Sequence, residues 1–81
     1  MKRYFFNFFD GVHWSDDKTG QMLGSLKEVR DEARYSLVEL SGDYCLLDDG
    51  FTLMFDVLDE AGQSVYKVEL SLSEEASLSV G

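Results

Sequence analysis

Five of the six residues from 4 to 9 are aromatic, Tyr4, Phe5, Phe6, Phe8 and Phe9, with Asn7 between them and the turn pair Asp10-Gly11 directly after. Side chains of a strand alternate between its faces, so Tyr4, Phe6 and Phe8 fall on one side and Phe5 and Phe9 on the other. Both sides are apolar. Such a strand requires cover twice, and a chain of 81 residues has little material left for a second layer once one core is built. A partner surface, or a second copy of the chain, is therefore the first functional expectation.

The length sets a single domain over 1–81, in which folding buries roughly 60% of the unfolded surface. Large aromatics must carry much of that core. Cys45 is the only cysteine, so no disulfide forms within the chain. Together with the lack of an apolar amino-terminal signal, this points to a reducing, cytoplasmic setting. No apolar run approaches the ~20 residues of a membrane-spanning helix, so a membrane partner is not expected.

The net charge of -9 is unevenly placed. Residues 1–40 carry seven acids against six bases, whereas 41–81 carry nine acids against Lys67 alone. A phosphate backbone calls for clustered Lys and Arg, and the bases here are dispersed, which argues against direct nucleic-acid binding. A basic protein partner is permitted, with Asp56, Asp59, Glu60 and Glu69 as the candidate acidic patch. The plainer explanation of the acidity is solubility.

Further along, Val12, His13 and Trp14 can return as a short second strand across the Asp10-Gly11 turn. Residues 15–24, polar and holding Gly20 and Gly24, read as a loop with Met22 and Leu23 as inward anchors. Ser25 and Glu28 have the spacing of a capping box, in which the Ser25 hydroxyl caps the helix and Glu28 reaches back to the Ser25 N–H. Leu26, Val29, Ala33, Leu37 and Leu40 then recur at three and four, which predicts an amphipathic helix over 26–41 closed by Gly42.

Tyr44, Cys45, Leu46 and Leu47 form an apolar patch before the turn signal Asp48-Asp49-Gly50. Leu53, Phe55 and Val57 alternate with Thr52, Met54 and Asp56, and Tyr66, Val68, Leu70 and Leu72 alternate with Lys67, Glu69 and Ser71. These are two strands of a hairpin whose loop contains Gly62, as a type I turn with a bulge requires. Residues 73–81, small, polar and acidic, read as a flexible tail.

The order strand, short strand, helix, strand, strand gives an α+β fold. One amphipathic helix packs on a small, mainly antiparallel sheet of three or four strands. The sheet's second face stays open, lined by Phe5, Phe9, Met54, Leu58 and Val65 and interrupted by Asn7, Asp56, Lys67 and Glu69.

Arg3-Tyr4-Phe5-Phe6 with Asp10-Gly11, Asp16-Asp17 with Gly20, Leu26, Glu28, Arg30, Glu32 and Ala33 in the helix, and Val57-Leu58-Asp59-Glu60 with Gly62 and Val65 together resemble the small bacterial family catalogued as domain of unknown function 6894. The resemblance covers about residues 3 to 72. It implies the same α+β fold and a bacterial origin, and it carries over no catalytic residue. Phe8-Phe9 and the stretch 44–47 are more apolar than the family pattern.

Sites for chemistry are sparse. His13 beside Asp16 and Asp17 has the groups of an oriented base but no neighbouring nucleophile. Cys45 among Tyr44, Leu46 and Leu47 reads as a buried, inert thiol. Asp16-Asp17 and Asp48-Asp49 lack the alternating ligands of a calcium loop, and the isolated glycines form no phosphate loop. No catalytic residue, metal or cofactor is expected. The expected roles are a homodimerising interaction module using the first strand and its sheet face, or an acidic decoy for a basic, nucleic-acid-binding protein.

Overall fold

The computed structural model describes residues 1–47 and 50–74. Its elements are β1 (Lys2–Phe9), β2 (Trp14–Ser15), β3 (Gln21–Leu23), α1 (Leu26–Leu47), β4 (Phe51–Leu58) and β5 (Ser64–Leu72). All strand pairs are antiparallel, in the order β2-β1-β4-β5, and β3 also pairs with β1. One helix on an antiparallel sheet is the α+β arrangement the sequence predicts, with five strands in place of three or four. The turn expected at Asp48-Asp49 and most of the tail expected over 73–81 lie outside the described residues.

The core forms where the helix stripe meets one sheet face. Val29, Ala33 and Leu37 are buried against Tyr4, Leu53, Phe55 and Val57. Phe55 sits among β1 aromatics, with the Phe6 ring 6.0 Å away edge-on and the Phe8 ring 5.2 Å away. Leu26 departs from the predicted stripe: it is exposed, while Val29 in the same turn is buried.

At that end the cap forms in altered pattern. The Ser25 hydroxyl accepts the Glu28 N–H, but the Glu28 carboxylate takes the N–H of Gly24 rather than that of Ser25. At the other end α1 runs to Leu47, six residues past the predicted stop at 41. The reason is tertiary. Tyr44 extends the Val29-Ala33-Leu37-Leu40 stripe by one more turn, packs on the core and meets the Phe51 ring at 5.9 Å. This outweighs the cost of about 1 kcal/mol for a mid-helix glycine at Gly42.

The segment 15–24 is not a plain loop. Ser15 pairs with Phe8, and Gln21, Met22 and Leu23 pair with Tyr4, Arg3 and Lys2, so two short strands line the same edge of β1. The turn before β2 is wider than the predicted one, with Val12 and His13 outside the strand. The Asp10 carboxylate accepts the N–H groups of both residues, at 2.9 and 2.7 Å, which holds the turn open.

The β4–β5 hairpin follows the predicted geometry. Gly62, with φ of 80°, donates its N–H to the Asp59 carbonyl at 3.0 Å, closing a turn followed by a left-handed glycine. The ladder then slips: Val57 pairs with Tyr66 but Leu58 with Ser64, leaving Val65 as the extra residue of a bulge. Val65 accordingly packs against the core cluster and not on the open face where simple alternation puts it.

Candidate functional site

The face of the sheet opposite α1 is built from three rows set by register. Phe5 lies beside Leu58, Asn7 beside Asp56 and Lys67, and Phe9 beside Met54 and Glu69. Two further residues belong to this face. Trp14, opposite Phe9 in the ladder, stacks on its ring at 5.0 Å and stays 50% exposed. Met22, opposite Arg3, is 45% exposed. The register of β2 and β3 places both there.

Phe5, Phe9, Met54 and Leu58 are half-buried, and among the described residues no second layer of structure lies over them. Loop 15–24 covers them only in part. Trp14 shields Phe9, and at Gly20 an added Cβ would lie 3.1 Å from the Phe5 ring and 3.0 Å from the Tyr4 carbonyl, so the backbone passes close over β1 there. Leu23 turns instead to the core.

Between β2 and β3, Asp17 completes the edge of β1. Its carboxylate accepts the Phe6 N–H at 3.0 Å and the N–H groups of Thr19 and Gly20 at 3.1 and 3.0 Å, while its own N–H donates to the Asn7 side chain at 3.0 Å. Partial burial pushes this carboxyl up, but the donors from Gly20, Phe6 and Thr19 together outweigh it and hold the group below its ordinary value. With β4 on one side and β2, Asp17 and β3 on the other, β1 offers a partner its face and not its edge.

The four candidate acids do not gather into one patch. Asp59 accepts the N–H groups of Ala61 and Gln63, both at 2.9 Å, and Glu60 accepts the Arg3 N–H at 3.0 Å. Both are engaged at the hairpin end. Asp56 takes the Ser64 hydroxyl at 2.6 Å on the open face, where Glu69 stands exposed one row away.

Among the described residues no three His, Cys, Asp or Glu side chains converge as a metal site would require. His13 is exposed in the turn that Asp10 organises. Cys45 is exposed too, which corrects the expectation of a buried thiol: the helix that Tyr44 prolongs turns the next residue outward. A disulfide reagent should therefore modify Cys45 in native buffer nearly as fast as in denaturant. A large rate increase on unfolding, followed by absorbance of the released thiolate, would contradict that exposure. No described helix is long and apolar enough to cross a membrane.

Compared with known proteins, residues 3–71 match the family model described as domain of unknown function (DUF6894). No curated protein and no solved structure matches the chain.

Proposed function

The chain belongs to the DUF6894 family, and from that premise we propose that it is a non-catalytic protein-interaction module that associates with itself through the open face of its sheet. The observation that carries this reading is the uncovered apolar row of Trp14, Phe9 and Met54, backed by Phe5 and Leu58 and crossed by Asn7, Asp56 and Lys67. A two-fold dimer buries the same patch on both copies. The central row supports it, because a face carrying Lys67 beside Asp56 and Glu69 presents both signs to an identical face. The decoy reading has weaker support, since Asp59 already accepts backbone donors of its own hairpin turn and Glu60 one from β1. The exposed, single Cys45 fits a reducing, cytoplasmic compartment.

Trp14 is the only tryptophan and lies on the proposed interface, so it reports association directly. From low to high micromolar protein, sedimentation should show a dimer with Trp14 emission moving to shorter wavelength. The dimer should persist in high salt, as apolar burial does. Phe9→Ser should leave the fold intact and shift assembly to higher concentration. A monomer at all concentrations overturns the proposal.

A further inference from the structure

The two edges of the sheet are finished differently. The β1 side is closed by β2, β3 and the Asp17 bonds, whereas β5 ends the order on the other side and pairs, among the described residues, only with β4. An open edge of nine residues is a template for strand addition, which proteins ordinarily blunt with proline, short length or a mid-strand bulge. The chain contains no proline, and the register shift in the β4–β5 ladder lies at the start of β5, leaving 66–72 regular.

We propose that β5 pairs antiparallel with β5 of a second copy, joining two sheets edge to edge about a two-fold axis at Val68. This contact is separate from the open-face association. The sequence around the axis, Tyr66-Lys67-Val68-Glu69-Leu70, carries opposite charges at equal distances from its centre. Pairing through Val68 sets Lys67 of each copy opposite Glu69 of the other, and Tyr66 opposite Leu70, each contact made twice. Moving the axis by one residue along the strand, to 67 or 69, sets Lys67 against Lys67 or Glu69 against Glu69. Registers centred between residues set the helix-side row of one copy beside the open-face row of the other. Neither Lys67 nor Glu69 has an ion-pair partner in its own copy among the described residues, where Lys27–Asp31 is the ion pair formed. Alongside this edge Val38 of α1 is 66% exposed and flanks a groove with Tyr66, Val68 and Leu70. An added strand brings the partner's helix to the same side and covers that groove.

The test uses complementary charge reversal in the full chain carrying Phe9→Ser, which weakens the open-face association that Lys67 and Glu69 also border. Lys67→Glu alone sets Glu against Glu twice, and Glu69→Lys alone sets Lys against Lys twice, so each variant should lose the edge contact. Mixed together, the two restore both pairs, and the mixture should associate about tenfold more tightly than either variant alone. In the unaltered chain, alternate β5 amides, those not bonded to β4, should exchange more slowly as concentration rises, and should still do so in Phe9→Ser. Mixing without gain, or β5 exchange independent of concentration, overturns the edge pairing. Assembly and β5 protection both unchanged in Phe9→Ser would count against the open face alone.

Discussion

Replacing Phe55 with alanine should cost about 3–5 kcal/mol, enough to abolish a cooperative transition or bring it close to zero denaturant. Phe55 stands between Phe8 and Val68 in the ladder, meets the rings of Phe6 and Phe8, and faces the helix stripe, so truncation opens a void that four elements surround. A domain of this length has a total stability of roughly 4–12 kcal/mol at about 0.05–0.15 per residue, so one such loss is a large share of it. Urea unfolding followed by circular dichroism measures the effect, and Phe9→Ala on the opposite, half-exposed face should cost distinctly less. A loss below that of Phe9→Ala would mean that Phe55 is not the hub of the aromatic core.

Asp17→Ala should follow with a loss of about 1.5–3 kcal/mol, because it leaves the Phe6 N–H without an acceptor and releases the Thr19 and Gly20 donors that hold β2 and β3 in line. Asp17→Asn tests the geometry more finely. An amide can still accept from Thr19 and Gly20 through its oxygen, but it turns an NH2 toward the Phe6 N–H, so it should fall between the wild type and the alanine variant. The same carboxylate gives a pH dependence. Its pKa in the fold lies below the unfolded value of 3.8, so its contribution is fully present above that value and is lost as pH falls through the lower, folded one. Unfolding midpoints measured from neutral to strongly acidic pH should decline below 3.8 in the wild type and decline less in Asp17→Ala. Equal decline in both would assign acid sensitivity to other carboxylates, Asp10 with its two backbone donors first.

The parts of this fold that were legible in the sequence are those written in short-range pattern. The Ser25 cap, the Leu53-Phe55-Val57 alternation and the Gly62 turn each depend on residues a few positions apart, and each formed. What failed depended on distant contacts. Gly42 resembles a helix end until Tyr44 finds Phe51 across the core, and Cys45 changes from buried to exposed as a result. Strands of two and three residues have no period to detect, so β3 is hidden inside a polar segment, and β2 lies at Trp14–Ser15 where the turn pair alone predicts 12–14. Asp17 bonds the backbone of a strand eleven positions earlier, a pairing that leaves no periodic trace. Val65 was assigned to the open face by alternation, which a bulge interrupts. Phe5, Phe9, Met54 and Leu58 were readable as neighbours because all four obey that alternation without interruption.

The partnership of the first strand with β4 also sets a schedule. Phe5 pairs with Leu58 and Phe9 with Met54, some fifty residues later, so the most apolar segment is synthesised well before its central neighbour, which comes only after the helix. Loop closure of that span is an entropic cost met before the contacts return anything, which makes docking of the aromatic strand a slow, late event. During that interval its rings are open to other unfinished chains, and the window for misassembly lies there, between the birth of the first strand and the arrival of β4. Slowing elongation through residues 51–58 should therefore lower the soluble yield more than slowing it through 26–47.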